Sequence, residues 1–191
     1  MIILASQSPR RRELLAKIID TFDVVPSEYD EKFDTTRPAE DVAVELALGK
    51  ANAVAKHYPD AIVIGADTFI VVDGQQLGKP KNADDALGML KNLSGKTHQV
   101  VTGVALVCKK QNVELSTVDR AAVTLKPFDE PKTRAYIANR APYDLAGGYA
   151  VQENDAQFLI DHFEGDKETI IGLPTKIVRQ MLPSVENELR K

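Results

Sequence analysis

The chain has 191 residues, and its 24 Lys plus Arg against 28 Asp plus Glu leave a formal net charge of −4. With 43% hydrophobic residues it has an ordinary globular composition and the length of one domain, while the mild acidic excess argues against a nucleic-acid coat or a polybasic membrane binder. The single cysteine, Cys108, excludes an internal disulfide and a zinc cluster built on cysteines, so a reducing cytoplasm is the expected setting.

Ile2 to Leu4 read as a short buried strand. Ser8 and Pro9 then offer an N-cap and a proline at the first helical position, predicting a helix to about Lys17 with Leu14, Leu15 and Ile18 inward. Arg10, Arg11 and Arg12 end the apolar start too soon for a signal peptide, and no run approaches the ~20 apolar residues of a membrane span. A second strand is expected at Phe22 to Val25, then a polar stretch containing Asp30 and Glu31. Pro38 opens a long helix to about His57, periodic in Val42, Leu46, Ala47, Ala53 and Val54. Ala61 to Gly65 has the continuous apolarity of a strand covered on both faces and continues past Asp67 to a hairpin signal at Asp73-Gly74. Asn82 caps a helix to Leu93, which Ser94-Gly95 stops. Long strands follow at Gln99 to Cys108 and Val113 to Leu125, then a helix from Asp129 to Asn139. A glycine segment at Ala146 to Tyr149, a strand at Phe158 to Asp161 and a helix from Pro174 complete the order. The polar tail 184–191 is expected to fray. Strands alternating with helices around a hairpin pair indicate an α/β domain with a mixed sheet flanked by helices.

Several constellations carry chemistry. At Ser6-Gln7-Ser8-Pro9-Arg10-Arg11-Arg12, three arginines meet the positive end of a helix, a conflict that an anion resolves. Arg11 lies on the inward stripe, where its charge must meet a carboxylate or a bound phosphate; Ser6 and Ser8 add hydroxyl donors. The plain alternative is a solvated basic helix start. Lys50 falls four residues after Leu46 and four before Val54 on an apolar stripe. It either reaches water along its stem or needs an anionic partner. Gly65-Ala66-Asp67-Thr68 presents a carboxylate after a buried run; Asp67 could hold Mg²⁺, take a proton from an attacking water, or merely cap a turn. Glu31 supplies a second acid from a separate segment, as metal-assisted phosphoryl chemistry requires. Lys79 before Pro80 is either a positioned charge or a surface turn. Ser94-Gly95-Lys96-Thr97-His98 lacks the upstream glycine of a P-loop and precedes a strand, so a P-loop is rejected. Gly147 and Gly148 allow a close approach to ligand or a tight chain crossing, and the amide of Gln152 suits a base edge. The three histidines lie in dissimilar contexts, and Cys108 reads as a buried small hydrophobe.

Taken together, these residues resemble the Maf family of nucleoside triphosphate pyrophosphatases. The resemblance runs from ASxSPRR (Ala5 to Arg11) through the acid pair Asp30 and Glu31, Lys50, GADT (Gly65 to Thr68) and KP (Lys79, Pro80). It continues in SGxTHxVxT (Ser94 to Thr102), AGxYxxQ (Ala146 to Gln152) and GLP (Gly172 to Pro174). It implies a single domain of Maf/ITPase-like fold, its twisted mixed sheet forming two lobes around a central cleft, commonly dimeric. The implied reaction is metal-dependent hydrolysis (Mg²⁺ or Mn²⁺) between the α and β phosphates, giving monophosphate and pyrophosphate. The general base falls on Asp67, phosphate and metal contacts on Ser6, Ser8, Arg11, Glu31, Lys50 and Lys79. Arg10, Thr68 and Gln152 match the branch that acts on dTTP and UTP. Departures are Gly49 for a usual glutamate, Leu145 and Ala150 for lysine and glycine, Glu153 for glycine and Thr169 for asparagine. The same resemblance raises two other readings, a non-catalytic nucleotide-binding regulator of septum formation and a housecleaning enzyme for modified nucleotides.

Overall fold

The computed structural model describes residues 1–30 and 34–189. The elements follow as β1 (Ile2–Leu4), α1 (Pro9–Ala16), β2 (Asp23–Val24), α2 (Ala39–Ala55), β3 (Ile62–Val72), β4 (Gln75–Leu77) and α3 (Ala83–Leu93). They continue as β5 (Thr97–Cys108), β6 (Val113–Leu125), α4 (Glu130–Arg140), β7 (Ile160–Glu164), α5 (Lys167–Ile171) and α6 (Thr175–Leu189), with 3₁₀ turns at Ala146–Gly148 and Asn154–Ala156. Seven strands form one mixed sheet in the order β2-β1-β3-β5-β6-β7, with β4 paired to β3. β1 runs parallel to β2 and β3, whereas β4 and β7 pair antiparallel to β3 and β6. The mixed α/β expectation holds.

Local chemistry sets the element ends. Ser8 caps α1 by accepting the Arg11 N–H, Asn82 caps α3 from Asp85, and Asp129 caps α4 from Lys132. Asp73 and Gly74 have φ of 50° and 75°, the left-handed pair that closes the β3–β4 hairpin. β3 is one strand of 11 residues that continues past Asp67 to the hairpin, as expected, so of the readings open for Asp67 the turn cap is set aside. The short helix α5 has too few residues to show a periodicity, and the last helix extends past Ser184 to Leu189, with Val185 fully buried.

The chain divides into two compact units, the first made of Met1–Asp67, Thr102–Asp119 and Gly172–Lys191, the second of Thr68–Val101 and Arg120–Ile171. The second unit has a core of large side chains, among them Ile70, Leu90, Leu93, Val123, Tyr136 and Ile137. The core of the first, around α2, is built on small ones: Ala5, Ala47, Ala51, Ala55 and Ala105 beside Ile3, Val54 and Val63. Small residues let α2 descend onto the sheet. A Cβ placed on Gly65 would sit 2.2 Å from the Ala47 carbonyl oxygen, and one on Gly103 2.1 Å from that of Ala43. Among the described residues, no helix is long and apolar enough to cross a membrane.

Gly65→Ala therefore forces α2 off β3, because the obstacle is backbone rather than a yielding side chain. Overpacking of this kind costs at least about 1–3 kcal/mol, and the midpoint of chemical denaturation should fall accordingly.

Candidate active site

Ser6, Ser8, Arg10, Arg11, Lys50 and Asp67 all belong to the first unit. The parallel register pairs Leu4 with Ile64, and the Ala5 N–H donates to the Ile64 carbonyl at 2.8 Å. The turn from β1 into α1 thus begins beside the stretch of β3 that leads to Asp67. Ser6 is buried, and its Oγ accepts the Ser8 N–H at 3.1 Å; Ser8 Oγ accepts the Arg11 N–H at 3.4 Å. Each hydroxyl is used here as an acceptor, which leaves its hydrogen to be donated. The α1 start carries no acidic residue to offset its partial positive charge.

Arg11 is half-buried, and its Nε donates to the Gly172 carbonyl at 2.9 Å. Arg11 thus meets a main-chain oxygen of the Gly172–Pro174 segment, an acceptor that the sequence pattern does not point to. A guanidinium has five N–H donors, so a bond from Nε fixes its plane without exhausting it.

For Lys50 the structure decides between water and an acid. Its Nζ lies 2.5 Å from Asp67 Oδ1, and the two side chains are only 10% and 12% exposed. α2 delivers the lysine and β3 the aspartate, and the approach at Gly65 brings the two elements within reach. Two charges taken from water tolerate burial only as a hydrogen-bonded pair. Lys50 Nζ occupies Asp67 Oδ1, and no described residue hydrogen-bonds to Oδ2. Among the described residues there is no group of three His, Cys, Asp or Glu able to hold a metal alone. A Mg²⁺-type ion is commonly held by one or two carboxylates plus substrate phosphates, a donor set that Asp67 fits. Glu31, the second expected ligand, lies outside the described residues. Close by, the Tyr29 ring occupies the space a side chain at Gly49 would take, with ring carbons 2.3–2.6 Å from the notional Cβ. That contact gives the Gly49 departure a physical role: it seats the segment before Asp30 on α2, one residue from Lys50.

Thr68, Lys79 and Gln152 belong to the second unit. Thr68 is half-buried and Lys79 exposed ahead of buried Pro80. The glycine pair is a tight crossing: Gly147 (φ 67°) donates its N–H to the Gly78 carbonyl at 3.0 Å, and a Cβ on it would strike Ile70 Cδ1 at 2.3 Å. The main chain beside Lys79 is thereby tied to the segment that carries Gln152. Leu145 and Ala150, two further departures, are buried and pack rather than project. Lys96, in the rejected P-loop motif, pairs with Asp73 at 2.6 Å.

Sequence reasoning passed over His98. It is 2% exposed, its Nε2 lies 2.6 Å from the Tyr149 hydroxyl, and its Nδ1 has no partner among the described residues. The signal was present: in β5, Thr97 and Gln99 face out while His98 and Val100 face in, the strand period of two. Burial pushes the imidazole down from 6.5 to about 4. It is neutral at pH 7.

Comparison with known proteins agrees with the motif order. Residues 1–185 match the family model described as Maf-like protein. A dTTP/UTP pyrophosphatase of Bacillus cytotoxicus is 44% identical over 180 residues, covering 94% of this chain and 93% of that one. A protein of the same description from Bacillus cereus is 41% identical over 181 residues, with the same coverage. Among solved structures, a nucleoside-triphosphatase / dITP/XTP pyrophosphatase of Mycobacterium abscessus aligns over 100% of this chain and 99% of its own, at 17% identity and a TM-score of 0.48. A likeness that slight carries no argument.

Two outcomes follow from the geometry. Lys50→Met strands the buried Asp67 carboxylate and lowers unfolding free energy by about 3–5 kcal/mol, measurable by urea titration. Charging His98 on acidification favours the unfolded chain, where the imidazole titrates normally, so stability falls between pH 6.5 and about 4 and no further from this group below that. The loss is roughly 3 kcal/mol. It should be absent from the difference between wild type and His98→Gln, which keeps a hydrogen-bonding group against Tyr149, only if His98 is not the titrating residue.

Proposed function

The chain belongs to the Maf-like family, and from that premise we propose that it hydrolyses nucleoside triphosphates, dTTP and UTP foremost, to the monophosphate and pyrophosphate. The relatives reported above carry that description over nearly the whole chain. The observation that carries the reading at the level of chemistry is the buried Lys50–Asp67 pair in the unit that also holds Ser6, Ser8 and Arg11.

In this reading water attacks the α-phosphorus, its proton passes to Asp67, and the α–β bridging oxygen leaves with pyrophosphate. Lys50 holds one carboxylate oxygen in place, leaving the other for the water, and its ammonium is at hand to balance the charge a triphosphate brings. Arg11, its plane set by Gly172, supplies guanidinium charge to phosphate oxygens alongside the hydroxyls of Ser6 and Ser8. Lys79 adds a cation from the Gly78–Pro80 turn. Asp67 and Glu31 would hold a divalent ion, Mg²⁺ or Mn²⁺, which when bound neutralises phosphate charge. Arg10, Thr68 and Gln152 supply polar groups for base recognition, where an unmatched donor or acceptor penalises the wrong base.

Asp67→Asn should lower turnover of UTP about 10²–10⁴-fold, the usual cost of losing a general base, while UTP still binds. Pyrophosphate release with Mg²⁺ present reads the first and calorimetry the second. Near-normal turnover in the variant removes Asp67 from the chemistry. Absence of pyrophosphate release by the intact chain overturns the enzymatic reading and favours a nucleotide-binding regulator.

A further inference from the structure

Gln152 sits in a turn whose main chain is held on both sides, while its own amide makes no hydrogen bond to any described residue. The Glu153 N–H donates to the Ala150 carbonyl at 3.3 Å, closing a four-residue turn around Val151 and Gln152. Gln157 Nε2 donates to the carbonyls of Val151 and Glu153, at 3.0 and 3.3 Å, spanning Gln152 from one flank to the other. The Arg140 guanidinium grips the Glu153 carboxylate in a two-pronged bond, Nε to Oε2 at 2.6 Å and Nη2 to Oε1 at 2.8 Å. The pair is about one-quarter exposed on each side, and Asp144 braces the arginine from 3.3 Å. Upstream, Tyr149 is anchored to His98. Planar two-pronged pairing fixes direction as well as distance, so this part of the chain is unusually determined for a stretch between helices. The held turn carries a polar amide that bonds to no described residue.

We infer that Arg140 and Glu153 form a clamp that positions Gln152 for reading the nucleobase, making them positioning residues for substrate choice. This rests on the functional reading above. An amide reads a base edge well only when its place is set to within about half an ångström beforehand. The ordering a loose loop would undergo on binding is instead completed in the free protein. Glu153, where glycine is the usual residue of the resemblance, is then a substitution with a purpose: it supplies the acid that Arg140 holds.

The test is steady-state hydrolysis of UTP and CTP with Mg²⁺ by the full chain, as wild type, Glu153→Gly, Arg140→Gln, Gln152→Ala and the Glu153→Gly/Gln152→Ala double variant. Arg140→Gln opens the clamp from its other side should Glu153→Gly fold poorly. Opening the clamp should lower the UTP-over-CTP preference about three- to tenfold, the scale of reordering a side chain on binding. The change should come through KM for UTP, with kcat within about twofold. In the Gln152→Ala background the same substitution should change the preference no further, because the clamp acts through that amide. An unaltered preference in both single clamp variants, or an equal loss in both backgrounds, overturns the clamp and leaves the pyrophosphatase reading standing. So does a wild type that hydrolyses UTP and CTP alike. If the wild type binds UTP without hydrolysing it, the catalytic reading fails, and the Kd ratio measured in EDTA decides the clamp by the same criteria. Binding of neither nucleotide overturns both.

Discussion

The buried ion pair of Lys50 and Asp67 is the constraint around which the first unit is arranged. Each charge offsets the burial of the other, and the close approach of α2 to the strand that carries Asp67 brings the two side chains together. Gly65 and Gly103 in the strands, facing Ala43, Ala47 and Ala51 in the helix, remove the side chains that would hold them apart. The small-residue core thus serves the charged site by letting helix and strand approach.

The second unit meets a different demand, holding polar loops still, and does so with directional bonds. Gly147 ties to Gly78, His98 to Tyr149, Arg140 to Glu153, and Gln157 spans Gln152. Beneath them lies a core of larger side chains that resists deformation. The units therefore divide the work by physics: one buries charge, the other orders backbone.

Most of the fold was legible because its signals are local. Caps at Ser8, Asn82 and Asp129, the Asp73-Gly74 turn and the apolar runs of β3 and β5 each rest on a few neighbouring residues. The candidate site was legible in membership, through motif order, and less so in contacts. That Lys50 meets Asp67 depends on a helix crossing a strand 17 residues away in sequence, which periodicity does not encode. The Arg11 bond to Gly172 spans 161 residues and ends on a carbonyl, a group every residue has. His98 shares no motif context with the other two histidines, and its one local signal is the alternation with Val100 that marks it as interior. Arg140 and Glu153 were unreadable as partners, since surface charges of opposite sign are plentiful and only geometry selects a pair.

The closeness of α2 to the sheet also bears on how this chain can drift over generations. Ala47, Gly65 and Gly103 touch no phosphate and take no proton, yet bulk at any of them would be felt at the acid and the lysine. Importance here does not decline smoothly with distance from the chemistry. Variation that is harmless on the outer face of the same helix becomes forbidden one quarter-turn away, where the tolerance is the radius of a methyl group.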